Sequence, residues 1–339
     1  MKSNRIMSLI RQTPDGEPID KELVRRICSC GLSEAQPDER CFAWLILFGV
    51  YPRFPSKWAA KLDTIYEDYK RFVSDYKLDD WLNVEIPKHF SKKDFTNIVD
   101  NDFLMYDIHT DVVRSSRNTY FLPAMDPPKS LENDKTGPFI YHLRRFERIL
   151  YIFGSLNPIL KYIQGFNELL IPIYFVITLA KEHFNNDFTL IEALAFQCFQ
   201  HLMTSTNIID FFLISDLSVM DIKFSYFKKV LNKHAPKAAK ILEYLDISPF
   251  EYVYKWLNIL FAQEYELPSL LILWDSMFAK FDDLMNYACY IAAAKILEIE
   301  DELDKNYFTK TVMALQTERN QNIYSIIKKA NELYNKDFK

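Results

Sequence analysis

An aspartate and an arginine three residues apart form the first candidate site, in the segment IHTDVVR at residues 108–114. If this segment is helical, Ile108, Asp111 and Arg114 recur along one side of the helix. A carboxylate at that spacing can hold a guanidinium in one orientation through bidentate hydrogen bonds, as an arginine needs if it presents its charge to a partner. The alternative is an ordinary ion pair on a helix surface, which contributes about 0–1 kcal/mol.

A glutamine beside a glycine forms the second candidate site, in the segment YIQGFN at residues 162–167. Gly165 permits a tight turn just before an apolar helix. Gln164 would then project near a helix N-terminus, where free N–H groups favour anions. The alternative is that Asn167 caps the helix while Gln164 is merely solvated.

Two tryptophan motifs form the third constellation. Arg40 precedes Trp44 by four residues, and Trp274 is followed directly by Asp275. On apolar helix faces, both tryptophans are most simply core aromatics. We therefore interpret these four residues as a structural motif.

Several other kinds of site lack their sequence patterns. There is no GxGxxG, no P-loop, no HExxH and no GxSxG motif, which argues against dinucleotide binding, P-loop chemistry and two common hydrolase classes. The five cysteines are scattered and form neither a disulfide framework nor a zinc pattern. Asp107 and Asp111 could ligate Mg²⁺, but no second acidic motif of matching spacing accompanies them.

Charge and hydropathy constrain the partners. Lys and Arg number 41 against 46 Asp and Glu, a formal net charge of −5, so we expect no broad nucleic-acid binding. The longest apolar run, at residues 169–180, is interrupted by Pro172 and is shorter than the roughly 20 residues that a membrane span needs. We expect a soluble, cytoplasmic protein without a targeting segment.

The composition favours helices. Only 6 of 339 residues are glycine, against a usual share of about 7%, and this scarcity disfavours turn-rich sandwiches and barrels. Apolar periodicity predicts an all-α chain. The predicted helices cover residues 20–30, 38–48, 57–76, 100–114, 139–153, 160–180 (after an initial turn), 189–203, 221–235, 237–245, 249–266, 269–278, 282–299 and 320–334.

The helices are predicted to form two lobes. Residues 1–30 are an N-terminal extension, residues 31–205 a first helical lobe carrying both candidate sites, and residues 206–339 a second. The helix at 139–153 carries three arginines, 144, 145 and 148, largely on the face opposite its apolar side chains. Proline and glycine mark residues 118–137 as a loop of about twenty residues, a length that is usually functional or mobile.

Taken together and in this order, the motifs resemble those of the TBC-domain Rab GTPase-activating proteins. Residues 108–114 are similar to the IxxDxxR arginine-finger motif of that family, and residues 162–165 to its YxQG glutamine-finger motif. Agreement continues elsewhere in the chain, at Gly31 with Arg40 and Trp44, at Asn167-Glu168, at Trp256-Leu257 with Gln263-Glu264, and at residues 273–276. The resemblance covers about residues 31–335 and implies a two-lobed helical TBC domain.

The resemblance also implies a mechanism. Arg114 would enter the active site of a GTP-bound Rab and neutralise charge on the γ-phosphoryl group, while Gln164 would orient the attacking water. Asp111 would hold Arg114, with Ile108, Tyr162, Gly165 and Asn167 supporting the fingers. GTP and Mg²⁺ belong to the partner GTPase, so the protein needs no cofactor of its own. Membrane contact would be indirect, through the lipidated Rab during transient recruitment to intracellular membranes.

Some positions depart from the family pattern. Ser115 stands where threonine is common after the arginine, Phe166 where methionine is common, and Leu32-Ser33 where Ile-Pro is usual. None of these changes removes a reactive group. Two alternatives stay open, a catalytically silent module that binds Rab-GTP and a helical metal-dependent enzyme using Asp107 and Asp111.

Overall fold

A computed structural model describes residues 5–32, 36–115, 119–132, 134–213, 217–317 and 322–338. Ser33, residues 118 and 133 of the predicted loop, and residues 320 and 321 lie outside these ranges. Within them the regular structure is helical and contains no strand. The prediction of an all-α chain is therefore confirmed.

The chain divides into two compact units. Residues 50–200 form one, called the central unit below, and residues 1–49 with 201–339 form the other, called the terminal unit. This division differs from the predicted boundaries at 30/31 and 205/206, because residues 31–49 group with the end of the chain rather than with the candidate sites. The hydrogen bonds between Arg40 and Asp275 supply the physical reason.

The central unit contains the longer connections. Its helices are α4 (Trp58–Asp75), α5 (Asp102–Ser115), α6 (Ile140–Leu156), α7 (Phe166–Leu179) and α8 (Phe188–Ser205), the last continuing past residue 200. The described part of 119–137 is irregular apart from the 3₁₀ turns Lys129–Leu131 and Gly137–Phe139, so the predicted loop is present. Phe153 packs edge-on against Phe166 and Phe199, at ring-centroid distances of 5.8 and 5.0 Å, and joins three helices in the core.

Three arginines of α6 are buried rather than solvated. Arg144, Arg145 and Arg148 are at most 9% exposed, although their position opposite the apolar face suggested an outward orientation. Arg148 donates to both oxygens of Glu192 on α8, each at 2.7 Å, and Tyr69 of α4 donates to the same carboxylate at 2.6 Å. Helical periodicity missed the burial of Arg145 and Arg148 because their compensating carboxylate, Glu192, is distant in sequence.

The terminal unit contains the remaining helices. They are α1 (Arg5–Gln12), α2 (Lys21–Cys28), α3 (Pro37–Leu47), α9 (Leu217–His234), α10 (Pro236–Tyr244), α11 (Val253–Asn258), α12 (Leu267–Phe278), α13 (Leu284–Glu298), α14 (Phe308–Gln316) and α15 (Ile323–Asp337). Helices α1 and α14 were not predicted. In the described part of the chain, no helix combines the length and the apolar character that crossing a bilayer requires.

The predicted helix 249–266 was wrong beyond its first half. A 3₁₀ turn, Pro249–Glu251, precedes α11, which ends at Asn258. Leu260 and Phe261 have φ values of 49° and 63°, in the left-handed region that ends a helix. The carbonyl of Leu260 accepts a hydrogen bond from Trp274 Nε1 at 2.8 Å. This tertiary bond accompanies a backbone conformation that leucine and phenylalanine rarely adopt alone.

Candidate functional site

Helix α5 places Arg114 in its last turn, one residue before the helix ends. The Arg114 side chain is 64% exposed, and its Nη1 donates to Asp111 Oδ1 at 3.3 Å. This bond is longer than the usual 2.7–2.9 Å of a charge-assisted pair. The contact therefore orients the guanidinium but does not bury it, and the charge is accessible to a partner molecule.

Asp111 is nearly buried and uses its two oxygens separately. Oδ1 accepts from Arg114, and Oδ2 accepts from the hydroxyl of Tyr162 at 3.0 Å. Burial raises the pKa of the Asp111 carboxyl above its ordinary value, although both hydrogen bonds oppose the shift. Ile108, one turn earlier, is fully buried and anchors this side of the helix in the core.

Gly165 determines the backbone of the second motif. Its φ of 105° lies in a region that favours glycine, and it is the residue immediately before α7. Gln164, in the turn that precedes the helix, is exposed. The glutamine therefore projects from a tight turn at a helix N-terminus, as the spacing predicted.

Asn167 does not cap the helix. It is buried in the first turn of α7, where Nδ2 donates to Ser115 Oγ at 2.7 Å. Its Oδ1 lies 3.2 Å from the Tyr162 hydroxyl. The amide therefore bonds across to α5 and to the turn before α7, and the capping interpretation of Asn167 was wrong.

These bonds join the two motifs in one ring of side chains. Arg114 contacts Asp111, which accepts from Tyr162, which contacts Asn167, which donates to Ser115, the neighbour of Arg114. Burial raises the pKa of Tyr162 well above its ordinary value, and the adjacent Asp111 raises it further, so the hydroxyl stays protonated as a donor. The exposed guanidinium of Arg114 is bonded to this polar framework directly, whereas the exposed Gln164 lies in the short backbone segment between Tyr162 and Asn167, two of its members.

Two members of this framework were missed as site residues. Ser115 accepts from Asn167, and its own hydroxyl lies 3.4 Å from Glu168 Oε1. The position next to Arg114 was the available sequence signal for Ser115, and the position after Asn167 was the signal for Glu168. Neither position reveals a partner, because the contacts connect helices about fifty residues apart.

The third constellation forms a buried cluster in the terminal unit. Asp275, fully buried, accepts from the Arg40 guanidinium at 3.0 and 3.1 Å, from Trp44 Nε1 at 2.8 Å and from the Leu32 backbone N–H at 2.8 Å. The rings of Trp44 and Trp274 have centroids 6.0 Å apart and are almost fully buried. Such a cluster stabilises packing, and its interpretation as a structural motif agrees with this geometry.

Among the residues that the structure describes, the acidic pair on α5 is not joined by further candidate metal ligands. Asp107 is exposed, whereas Asp111 belongs to the ring described above. The described ranges contain no group of three or more His, Cys, Asp or Glu side chains placed to hold a metal ion. A metal site at Asp107 and Asp111 therefore gains no support from their surroundings.

Known proteins share this architecture. The crystal structure of the Ypt/Rab-GAP domain of Gyp1p superposes with a TM-score of 0.70, covering 99% of this chain and 98% of that one at 17% identity. A Chlamydomonas flagellar RabGAP TBC domain superposes with a TM-score of 0.56 at 14% identity, covering 91% and 82% of the two chains. At these identities the similarity establishes the fold.

Sequence relatives carry the same domain name. Human TBC1 domain family member 13 is 32% identical over 201 residues, which cover 57% of this chain and 48% of the relative. A TBC domain-containing protein of Schizosaccharomyces pombe is 28% identical over 281 residues, or 74% and 44%. The chain thus spans about half the length of the curated relatives it matches. The profile of the Rab-GTPase-TBC domain matches residues 37–303, and the chain therefore belongs to that family.

Proposed function

We propose that this chain is a GTPase-activating protein for a Rab-family GTPase in its GTP-bound state. In this proposal Arg114 enters the GTPase site as an arginine finger, and Gln164 positions the attacking water in trans. The supporting observation is the ring of hydrogen bonds that holds Arg114 and joins α5 to the segment carrying Gln164, between Tyr162 and Asn167. Family membership supports the choice of partner.

The chemistry needs positioning and charge, with no covalent step. As γ-phosphoryl transfer proceeds, negative charge spreads over the phosphoryl oxygens and the bridging oxygen. A guanidinium brought to those oxygens stabilises the transition state more than the ground state. Arginine fingers supplied in trans are worth about 10³–10⁵ in rate, which corresponds to about 4–7 kcal/mol of barrier.

The partner supplies everything else that the reaction requires. GTP and Mg²⁺ are held by the GTPase, so the proposal assigns no cofactor to this chain. In this proposal the protein is cytoplasmic and is recruited transiently to intracellular membranes by the lipidated Rab. This division of labour makes the effect of each finger measurable on a purified pair of proteins.

Single-turnover phosphate release from a panel of GTP-loaded Rabs tests the proposal. We expect wild type to accelerate at least one Rab, and Arg114→Ala to lose at least about hundredfold of that acceleration. Arg114→Lys should fail as well, because an ammonium lacks the planar fork of the guanidinium. Gln164→Ala should also lose most of the acceleration of GTP hydrolysis.

Arg71 offers a matched control for Arg114. It lies on α4 of the same unit, is 62% exposed, and pairs with Asp68 three residues earlier at 2.9 Å. Arg71→Ala should keep the wild-type rate. Equal rates for wild type, Arg114→Ala and Gln164→Ala on every Rab would overturn the proposal. A nucleotide-dependent complex without acceleration would instead identify a silent Rab-binding module.

A further inference from the structure

A buried histidine connects the helix that carries Arg114 to its neighbour. His109 lies on α5, five residues before Arg114, and is 4% exposed. Its Nδ1 is 2.6 Å from Oε1 of Glu147, a fully buried carboxylate on α6. Arg144 Nη1 donates to both oxygens of Glu147, at 3.0 and 2.8 Å, and Trp81 Nε1 donates at 3.1 Å.

The carboxylate that receives His109 is itself fixed. Burial alone would raise the pKa of Glu147, but Arg144 and His109 outweigh burial and hold that pKa below its ordinary value. The charged Glu147 therefore cannot leave its donors without a large desolvation penalty. On the other side, the rings of Phe90 and Phe95 pack against the imidazole at centroid distances of 4.4 and 5.5 Å.

We propose that His109 is a positioning residue for the arginine finger, acting by fixing the rotation and height of α5 against α6. The inference rests on the proposed function, because it concerns the delivery of Arg114 to a GTPase. Five residues of helix span about 7.5 Å along the axis. A rotation or slide of α5 at His109 therefore carries directly to Arg114, and a displacement of about 1 Å can cost about hundredfold in rate.

Directionality distinguishes this bond from ordinary packing. Apolar contacts such as those of Ile108 and Val112 are non-directional, so they resist separation of the helices more than rotation. A hydrogen bond to a fixed carboxylate restrains distance and angle together. The bond between Ser115 and Asn167 restrains the end of α5 against α7, whereas His109 restrains its middle against α6.

Two substitutions at His109 separate the bond from the volume. His109→Asn retains an amide nitrogen near the place of Nδ1, whereas His109→Gln moves it to the place of Nε2. We expect His109→Gln, and likewise His109→Leu, to lower the maximal GAP rate by about ten- to hundredfold with KM for Rab-GTP changed less than about twofold. His109→Asn should restore most of the rate.

A second readout does not depend on turnover. We would measure the affinity of each variant for Rab loaded with GDP and aluminium fluoride, which mimics the transition state, and with a non-hydrolysable GTP analogue. Loss of positioning should weaken only the binding of Rab loaded with GDP and aluminium fluoride. A general loss of folded protein would weaken apparent binding to both forms of the Rab equally. If His109→Leu folds poorly, the comparison of His109→Gln with His109→Asn still distinguishes these two outcomes.

The matched control removes a similar buried bond away from α5. Tyr69 on α4 donates at 2.6 Å to Glu192, which two bonds from Arg148 also satisfy. Tyr69→Phe should lower the melting temperature comparably to His109→Leu and leave the rate per folded molecule unchanged. If instead both variants lose the same fraction of rate, the role of His109 is structural and the inference is overturned.

Combination with Arg114→Ala completes the test. If His109 acts through Arg114, His109→Gln causes no further loss in the Arg114→Ala background. An undiminished loss there, or a His109→Gln protein as fast as wild type, would overturn the positioning role while the wild-type acceleration upholds the proposed function. A wild type that accelerates no Rab would overturn the proposed function itself, and the inference with it.

Discussion

Asn167 donates to Ser115 Oγ at 2.7 Å and thereby ties the first turn of α7 to the last turn of α5. The glutamine of the second motif lies three residues before Asn167, and the arginine of the first motif lies directly before Ser115. One amide thus fixes the relation between two chain segments that belong to different motifs. Its removal should affect both candidate fingers together.

Substitution of Asn167 by alanine should lower stability and the rate. It leaves the Tyr162 hydroxyl and Ser115 with one partner fewer in a buried site, at a cost of about 1–3 kcal/mol in the free energy of unfolding. Asn331 is the matched control, since it also accepts from a tyrosine hydroxyl (Tyr287, 3.0 Å) and donates (to Ser29 O, 2.9 Å), in the terminal unit. Urea unfolding and phosphate release should show that Asn331→Ala is less stable but unchanged in rate per folded molecule.

The carboxyl of Asp111 should make stability depend on pH. Its pKa is raised in the folded state, chiefly by burial. A raised pKa means that its contribution to stability is present below the unfolded pKa and is lost as pH rises through the folded pKa. Asp111→Asn, which mimics the protonated form, should therefore be at least as stable as wild type at neutral pH. The difference should disappear on acidification, and urea unfolding at each pH would measure it; a gap that widens in acid would contradict the assignment.

The same titration should alter the rate in the opposite sense. Protonation of Asp111 removes the charge that attracts Arg114, so acceleration should decline on acidification at a higher pH than an ordinary aspartate would give. Asp111→Asn should accelerate hydrolysis only weakly at every pH, and its rate should not show this decline on acidification. Rates divided by the intrinsic hydrolysis of the Rab at each pH would isolate the contribution of this protein, and identical profiles for the two proteins would contradict the prediction.

Replacement of Gly165 by alanine should strain the turn that carries Gln164. Its φ of 105° is costly for any residue with a Cβ, by about 1–3 kcal/mol. Gly16 is a useful control, because its φ is 84° and a Cβ added there would meet no atom within 4 Å. Both alanine variants should be less stable by thermal unfolding, but only Gly165→Ala should lose acceleration. Equal rates for the two variants would indicate that the turn tolerates alanine.

Removal of the Asp275 carboxylate should destabilise the terminal unit strongly. Asp275→Ala leaves the Arg40 guanidinium, whose side chain is only 13% exposed, without its counter-ion, at an expected cost of about 3–5 kcal/mol in unfolding free energy. Arg40→Met in the same chain should recover part of that loss, because no lone charge remains. Asp301 pairs with Lys237 at 2.9 Å but is 97% exposed, so Asp301→Ala should unfold at nearly the wild-type urea concentration. A small effect of Asp275→Ala would show that the cluster is not stabilising.

Local chemistry in the sequence determined much of the molecule. Scarce glycine and helical periodicity predicted the all-α fold, and Gly165 predicted the turn before α7 because few other residues adopt that backbone conformation. The spacing of Asp111 and Arg114 predicted their contact, since residues three apart are neighbours on a helix. Each of these features is decided within a few residues of chain.

Tertiary structure decided the rest. Ser115 joined the candidate site, and Arg145 and Arg148 of α6 became buried, through partners far away in sequence. The helix after Pro249 ended at Asn258, where its apolar periodicity did not predict an end. Buried polar groups require hydrogen-bond partners, and only folding determines which distant side chains supply them. The sequence by itself therefore determined the helices and the two motifs, whereas the packing of α5 against α6 and α7 decided how those motifs are held together.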